Sequence, residues 1–301
     1  MTNDRVAVVT GANAGLGFRT AFELARAGMT VVLACRSEER ARRADDELHA
    51  LAPDARTLLI PLDVSEPESI RAFGRALAER CGRIDVLVNN AGIVAAPLSR
   101  NSAGHEMHLA TNYLGAFALT GTLLPLFPHD GSGRIVDVGS LGHRLSRLDL
   151  GDPSWETTPY NPWKAYFRSK VAILTFTIEL ARRLERSGRG VTALAAHPGF
   201  AATEVAKNSG ALAPKSALAK WMNDRIEPFI PTAADASRPI VHAALAPDVR
   251  GGDYYGPGGF LEIAGAPGRA RLNPVVHDAA IGRRLWAVSE DMTGVRYLSE
   301  V

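Results

Sequence analysis

Residues 5–17, Arg5-Val6-Ala7-Val8-Val9-Thr10-Gly11-Ala12-Asn13-Ala14-Gly15-Leu16-Gly17, restrict this chain more than any other stretch. A β-branched run leads into three glycines, and a helical pattern follows over Phe18–Ala27, with apolar Ala21, Phe22, Leu24 and Ala25. Strand, glycine turn and helix form the first half of a dinucleotide-binding βαβ unit. Its glycines let the backbone turn tightly and approach a pyrophosphate, which sits at the positive end of the helix. The spacing Gly11-x-x-x-Gly15-x-Gly17 differs from the familiar Gly-x-Gly-x-x-Gly, and a loop without a ligand has the same composition. Strand before and helix after favour the phosphate cradle, with Gly11, Asn13, Ala14, Gly15, Leu16 and Gly17 as its contacts.

Composition narrows the remaining choices. The 301 residues are 46% hydrophobic and 22% charged, which fits a globular α/β chain. A net charge of +2 with scattered lysine and arginine argues against a nucleic-acid surface. Cys35 and Cys81 provide neither a disulfide framework nor metal-ligand spacing, so a reducing compartment is expected. No uninterrupted apolar run reaches the roughly 18 residues of a membrane span, and Val6–Val9 is too short for a signal peptide. The expectation is a cytoplasmic protein without a membrane anchor, folded as one domain over 1–301.

Further strands follow in βα alternation. Thr30–Cys35 ends at Arg36-Ser37, the point a dinucleotide fold presents to the adenosine ribose. An acidic residue there would bind the 2′-hydroxyl, whereas arginine accommodates a 2′-phosphate. Arg36, with Ser37 beside it and Arg40 a turn later, predicts NADP(H) in preference to NAD(H). A helix over Glu38–Leu51 precedes strand Thr57–Leu62, which runs into Asp63-Val64. Asp63 is placed to accept the adenine amino group with Val64 lining the ring, or to cap the next helix; the two roles are compatible. Strand Ile84–Val88 stops at Asn89-Asn90-Ala91-Gly92, which suits close approach to a ligand or a plain turn.

Tyr166 and Lys170 open the apolar run Val171–Leu180, which reads as a buried helix. Residues four apart on a helix share a face, so a phenol and an ammonium lie side by side, and the positive charge favours phenolate. Alone, this pair arises often by chance.

In order and separation, Thr10-Gly11-x-x-x-Gly15-x-Gly17, Asp63-Val64, Asn89-Asn90-Ala91-Gly92 and Tyr166-x-x-x-Lys170 resemble the short-chain dehydrogenase/reductase family over about residues 5 to 256. The resemblance implies a Rossmann-type doubly wound parallel sheet of about seven strands with helices on both faces. It implies hydride transfer between a nicotinamide and a small-molecule carbonyl or alcohol. Tyr166 becomes the general acid/base, and Lys170 sets its pKa and binds the nicotinamide ribose. Ser140, at the end of strand Arg134–Gly139, bonds the substrate oxygen; Asn112, within the helix Met107–Leu124, holds a water. Pro198-Gly199-x-x-x-Thr203, after strand Val191–Ala196, matches the segment that cradles the nicotinamide side. Homo-oligomers through the long helices are implied as well.

The stretch between Ser140 and Tyr166 is longer than in many family members and holds Trp155, Tyr160 and Trp163. With Leu141-Gly142-His143-Arg144 and Ala34-Cys35-Arg36 it resembles the retinol dehydrogenase-like branch, which implies a lipophilic aldehyde or ketone as substrate. Trp163 and His143 are candidate substrate contacts, with a solvated or structurally bonded loop histidine as the alternative for His143. The apolar stretch 204–231 is either a lid or a helical pair packed on the body. The extension 257–301 combines Gly/Pro loops with a helix over Val276–Glu290. Two other functions fit the same folds: an NADP-binding regulator without turnover, and a C=C reductase resembling protochlorophyllide reductase. The first would lack one of the catalytic positions; the second would place a cysteine at the pocket.

Overall fold

The computed structural model describes residues 5–199 and 231–298. It begins β1 (Val6–Thr10), α1 (Gly15–Arg26), β2 (Thr30–Cys35), α2 (Glu38–Leu51), β3 (Arg56–Pro61), α3 (Pro67–Arg80) and β4 (Val86–Asn89). A composite helix follows, made of α4 (Met107–Leu109), a π-helical turn Ala110–Leu114, α5 (Gly115–Leu123) and a 3-10 turn Leu124–Leu126. Next come β5 (Gly133–Val138), the long α6 (Pro162–Ser187), β6 (Val191–Ala196), α7 (Ala233–Leu245), β7 (Tyr254–Pro257), β8 (Pro267–Arg269) and α8 (Ala279–Thr293).

The strands form one sheet in the order β3-β2-β1-β4-β5-β6-β7-β8. Every pairing from β3 to β7 is parallel, as βα crossovers require, and β7–β8 is antiparallel. The expected seven strands are therefore eight. Gly265–Gly268 read as loop material, yet Tyr255 opposes Arg269 and Pro257 opposes Pro267 in a ladder. Proline and glycine are tolerated there because β8 is the edge strand among the described residues, with no further described neighbour to hydrogen-bond.

Alternation along the strands divides the core between two faces. Val8, Val32, Ile60, Leu87 and Ile135 face α3, α5, α6 and α8, while Val9, Val31, Leu33, Val88 and Val136 face α1, α2 and α7. α6 starts a turn earlier than Tyr166, where Asn161 Oδ1 accepts from the Lys164 amide and Pro162 takes the first helical position. It ends at Gly188, whose φ of 63° supplies the left-handed cap. Met107–Leu126 is long and apolar enough to cross a membrane on those measures alone, but it packs into the core with 72% of its most apolar window buried.

The second half of the expected extension completes that core. Phe117 of α5 meets Phe176 of α6, Trp286 of α8 and Tyr297 beyond it, at ring separations of 5.5, 5.1 and 5.0 Å. Phe176 stacks on Trp286 at 5.8 Å, and the Arg183 guanidinium lies 4.3 Å from the Trp286 ring. Edge and tilted contacts of this kind favour aromatic pairs beyond their buried area. Truncating Phe117 to alanine should therefore cost about 3–5 kcal/mol, measured by denaturant unfolding monitored through tryptophan fluorescence.

Candidate active site

The strand ends converge where β1 and β4 lie side by side while the chain departs from them in opposite directions. Thr10 Oγ accepts from the backbone amides of Asn90 and Ala91 at 3.0 and 2.9 Å, and Asn90 Nδ2 donates to the Thr10 carbonyl at 2.8 Å. Gly11 and Gly15 take φ values of 66° and 52°, so the loop folds back on itself. A Cβ on Gly17 would run into the Gly11 carbonyl, which is why α1 can start so close to the loop. Ala14, the N-cap of α1, makes no side-chain cap hydrogen bond. The first amides of a 12-residue helix thus start beside a glycine cradle with no side-chain oxygen capping them, a fit for the pyrophosphate of a dinucleotide. Cys35 sits beneath this loop, its thiol pushed up to about 11 by burial against the pull of the Ala12 and Asn13 amides.

On the adenosine side, Arg36 is 79% exposed and its Nη1 lies 3.6 Å from Asp63 Oδ2. Ser37 caps α2, accepting from the Arg40 amide at 3.3 Å. Asp63 does not cap α3. Its Oδ1 accepts from the amide and hydroxyl of Ser65 at 3.0 and 2.6 Å, and Glu66 is the cap residue. Val64 is buried, its carbonyl pressed against Gly115. Asn89 and Asn90 differ from a simple ligand-facing pair, because both side chains are engaged within the protein. Asn89 Nδ2 donates to Asp137 Oδ1 at 2.8 Å and to Thr120 Oγ at 3.3 Å. Ala91 and Gly92 carry the chain on, and Gly92 passes close to Asn112 Oδ1.

Beyond β5, Ser140, Tyr166, Lys170 and Asn112 are all buried, with the Ser140 hydroxyl beside the Tyr166 phenol. Ser140 Oγ accepts from the Gly142 amide at 3.1 Å and starts the 3-10 turn Leu141–Leu145. Burial pushes the Tyr166 phenol up, and the neighbouring Ser140 hydroxyl partly opposes it. Lys170 Nζ donates to the Val138 carbonyl at 2.8 Å. Burial pulls its ammonium down to about 8, while the charge of Asp137 acts the other way. Asn112 sits in the π-helical turn, a device that recurs at functional sites because it re-aims one side chain of a helix. Its Oδ1 accepts from the Ile93 amide at 2.8 Å, and its Nδ2 donates to Ser169 Oγ at 2.9 Å, which ties it to α6 next to Lys170.

Asp137 belongs to none of the motifs that mark the site in the sequence. It occupies a fully buried strand position, where an acid breaks the apolar alternation of β5. Burial raises its carboxyl to about 6, against hydrogen bonds from Asn89 and Thr177 and the nearby Lys170 charge. That break in the pattern was the available signal.

The long insert wraps the group from outside. Asp152 accepts from the amides of Glu156, Thr157 and Thr158, which holds its carboxyl well below the usual range. Arg168 of α6 lies 4.1 Å from the Trp155 ring and donates to the Asp152 carbonyl at 2.9 Å. Trp163 and Phe167 flank Tyr166 at ring separations of 6.4 and 5.6 Å, and Val94 and Ala95 join them in a small apolar cluster. His143 is fully buried rather than presented to a ligand. Its Nε2 accepts from the Asn273 amide at 3.2 Å, which leaves the proton on Nδ1 for the Ser140 carbonyl. The bonded-loop alternative is the one observed.

Pro198 and Gly199 follow β6 at the same edge, and Gly199 has φ of 73°. Thr203 and the stretch 204–231, except Pro231, lie outside the described residues. Two further residues escape sequence reasoning, His197 and Glu262, whose side chains meet at 3.1 Å across 65 positions of sequence.

The family model described as short chain dehydrogenase matches residues 5–212. The chain is 36% identical to retinol dehydrogenase 11 of Homo sapiens, over 97% of its own length and 86% of that protein. Retinol dehydrogenase 13 of Homo sapiens is 34% identical over 97% of this chain and 85% of its own. Among solved structures, a putative uncharacterized protein from Mycobacterium Paratuberculosis superposes with a TM-score of 0.79 at 35% identity, covering 97% of this chain and 94% of that one. A dehydrogenase/reductase from Sinorhizobium meliloti 1021 gives 0.62 at 28% identity, over 82% and 91% of the two chains. Sheet order, glycine cradle and these likenesses agree: the chain belongs to the short-chain dehydrogenase/reductase family and is retinol dehydrogenase-like.

Proposed function

We propose that this protein is an NADP(H)-dependent oxidoreductase that interconverts a lipophilic alcohol and its aldehyde or ketone. The observation that carries the reading is the buried group Ser140, Tyr166 and Lys170, set beyond a glycine cradle that fits a dinucleotide. The nicotinamide supplies hydride transfer when bound; the chain itself provides orientation and the management of one proton. Tyr166 gives its phenolic proton to the substrate oxygen in reduction and takes it back in oxidation. The Ser140 hydroxyl donates to the same oxygen and holds it against the phenol. Lys170 stays charged when its carbonyl partner and Asp137 outweigh burial, and that charge favours the phenolate form. Asn112 connects the group to Ile93 and Ser169, which fixes the helix that carries it against α6.

The apolar cluster of Val94, Ala95, Trp163 and Phe167 around Tyr166 supports a lipophilic substrate, and relatives named for retinol, itself an apolar alcohol, support it further. Exposed Arg36 at the end of β2 supports a 2′-phosphate on the adenosine ribose.

Tyr166→Phe should bind NADPH as the native protein does while turnover of a lipophilic aldehyde falls by roughly 10²–10⁴-fold, the usual contribution of a positioned general acid. Stopped-flow absorbance of NADPH would read both, and a phenylalanine variant working at the native rate would sink the assignment. Native kcat/KM should favour NADPH over NADH, and Arg36→Ala should raise the NADPH KM by roughly tenfold while leaving NADH nearly unchanged. Equal loss for both cofactors would remove Arg36 from phosphate recognition. Asp137→Asn takes away a negative charge that raises the Lys170 pKa, so the alkaline limb of the kcat/KM profile, expected near pH 8, should move to lower pH. An unmoved limb would mean that Lys170 does not set it.

A further inference from the structure

After β7 the chain turns back across the site. The 3-10 turn Phe260–Glu262 carries two consecutive non-glycine residues in the left-handed region, Leu261 at φ 52° and Glu262 at φ 58°. Such conformations persist only where surrounding contacts over-determine them. Here backbone bonds from the Glu262 amide to Gly259 and from the Gly259 amide to Ala264 close the turn, and one carboxylate ties it to its surroundings. Glu262 Oε2 accepts from Arg144 Nη2 at 2.6 Å, and Oε1 accepts from the Arg271 amide at 3.2 Å. The third partner is His197 Nε2, 3.1 Å from Oε2.

The His197 ring can be assigned a tautomer from its partners. Nδ1 faces the Gly199 amide at 3.1 Å and must accept from it, so the ring proton is on Nε2 and is donated to Glu262. Burial lowers the imidazole to about 4, with Glu262 opposing and Arg144 and His143 adding to the drop, so the ring is neutral at pH 7. Carboxylate, imidazole and Gly199 amide thus form a chain of bonds with one allowed direction. The extension also touches Gly199 directly: a Cβ there would strike the Ile263 carbonyl. Arg144 extends the same clamp to the turn after Ser140, and Tyr254 packs between the two histidines at 5.6 Å from His143 and 5.1 Å from His197.

We propose that Glu262 is a positioning residue for the nicotinamide half of the cofactor, acting through His197 on the backbone of Gly199. The inference rests on the reading of Pro198-Gly199 as the nicotinamide-side segment. It gives the C-terminal extension a specific role in the site. Without Glu262, the imidazole is free to turn and the Gly199 amide loses its fixed acceptor.

The test is a comparison of two ligands by calorimetry on the full chain, NADP+ and 2′-phospho-ADP-ribose, which lacks the nicotinamide. Glu262→Ala should weaken NADP+ by roughly tenfold, the loss expected for a hydrogen bond to a charged group, and leave 2′-phospho-ADP-ribose unchanged. His197→Leu should give the same split. On the His197→Leu background, Glu262→Ala should cost nothing further, because the two act in series. Phe260→Ala, at an exposed neighbouring position, should leave both constants at native values. Native NADP+ affinity in either single variant would overturn the proposal, as would a full repeated loss in the double variant or equal losses for both ligands. If Glu262→Ala cannot be purified, the His197→Leu split decides by itself. Native protein that bound neither ligand would instead overturn the functional reading beneath the proposal.

Discussion

The seam between Thr10 and Asn90 is the constraint on which the rest depends. β1 and β4 are neighbours in the sheet but far apart in sequence, and the crossovers beyond them leave in opposite directions. A crevice opens wherever a parallel sheet does this. Here three hydrogen bonds from the Asn90-Ala91 turn to Thr10 fix its floor, and the side chain of Asn90 is spent doing so. With that floor set, Gly17 brings α1 up to the loop, β5 delivers Ser140 on one side, and β6 delivers Gly199 beyond it.

A second layer of polar groups holds the first in place. Asn89 and Thr177 both donate to the Asp137 carboxylate, and Lys170 donates to the Val138 carbonyl one residue on, each at 2.8 Å. The chain of bonds runs through the interior from β4 to α6. Buried polar chains of this kind are high-stakes, since the low dielectric that strengthens each bond also raises the cost of leaving one unmade. The Lys170 ammonium is held by a backbone carbonyl and sensed by a carboxylate that burial brings close to protonation near neutral pH. Its charge is therefore a property of several elements rather than of the helix that carries it.

Much of this was legible in the sequence, for reasons that differ by element. β1, β2, α2 and β6 announce themselves by local pattern, because their apolar periodicity and their flanking turn residues agree. Tyr166, Lys170 and the glycine cradle stand out because they are local motifs at fixed spacing. β8 stayed hidden since its Pro-Gly-Arg composition after Gly265 says loop, and only its partner Tyr254–Pro257 makes it a strand. Glu262 and His197 stayed hidden for a related reason: neither is unusual alone, and their meaning arises from a contact across 65 positions of sequence. His143 read as a ligand candidate because it lies in the loop between Ser140 and Tyr166, and its burial is visible only once Asn273 arrives from the extension.

The position of α8 in the chain has a consequence for how the protein comes into being. Trp286 and Tyr297 complete an aromatic cluster whose other members, Tyr113, Phe117 and Phe176, leave the ribosome far earlier. Until α8 and Tyr297 are synthesised, the outer faces of α5 and α6 present bare aromatic surface to solvent or to whatever shields nascent chains. Domains fold from the N-terminus during synthesis, but among the described residues it is α8 and Tyr297 that close this surface. The emergence of α8, more than any local folding event, is what turns these helices from a sticky surface into a core.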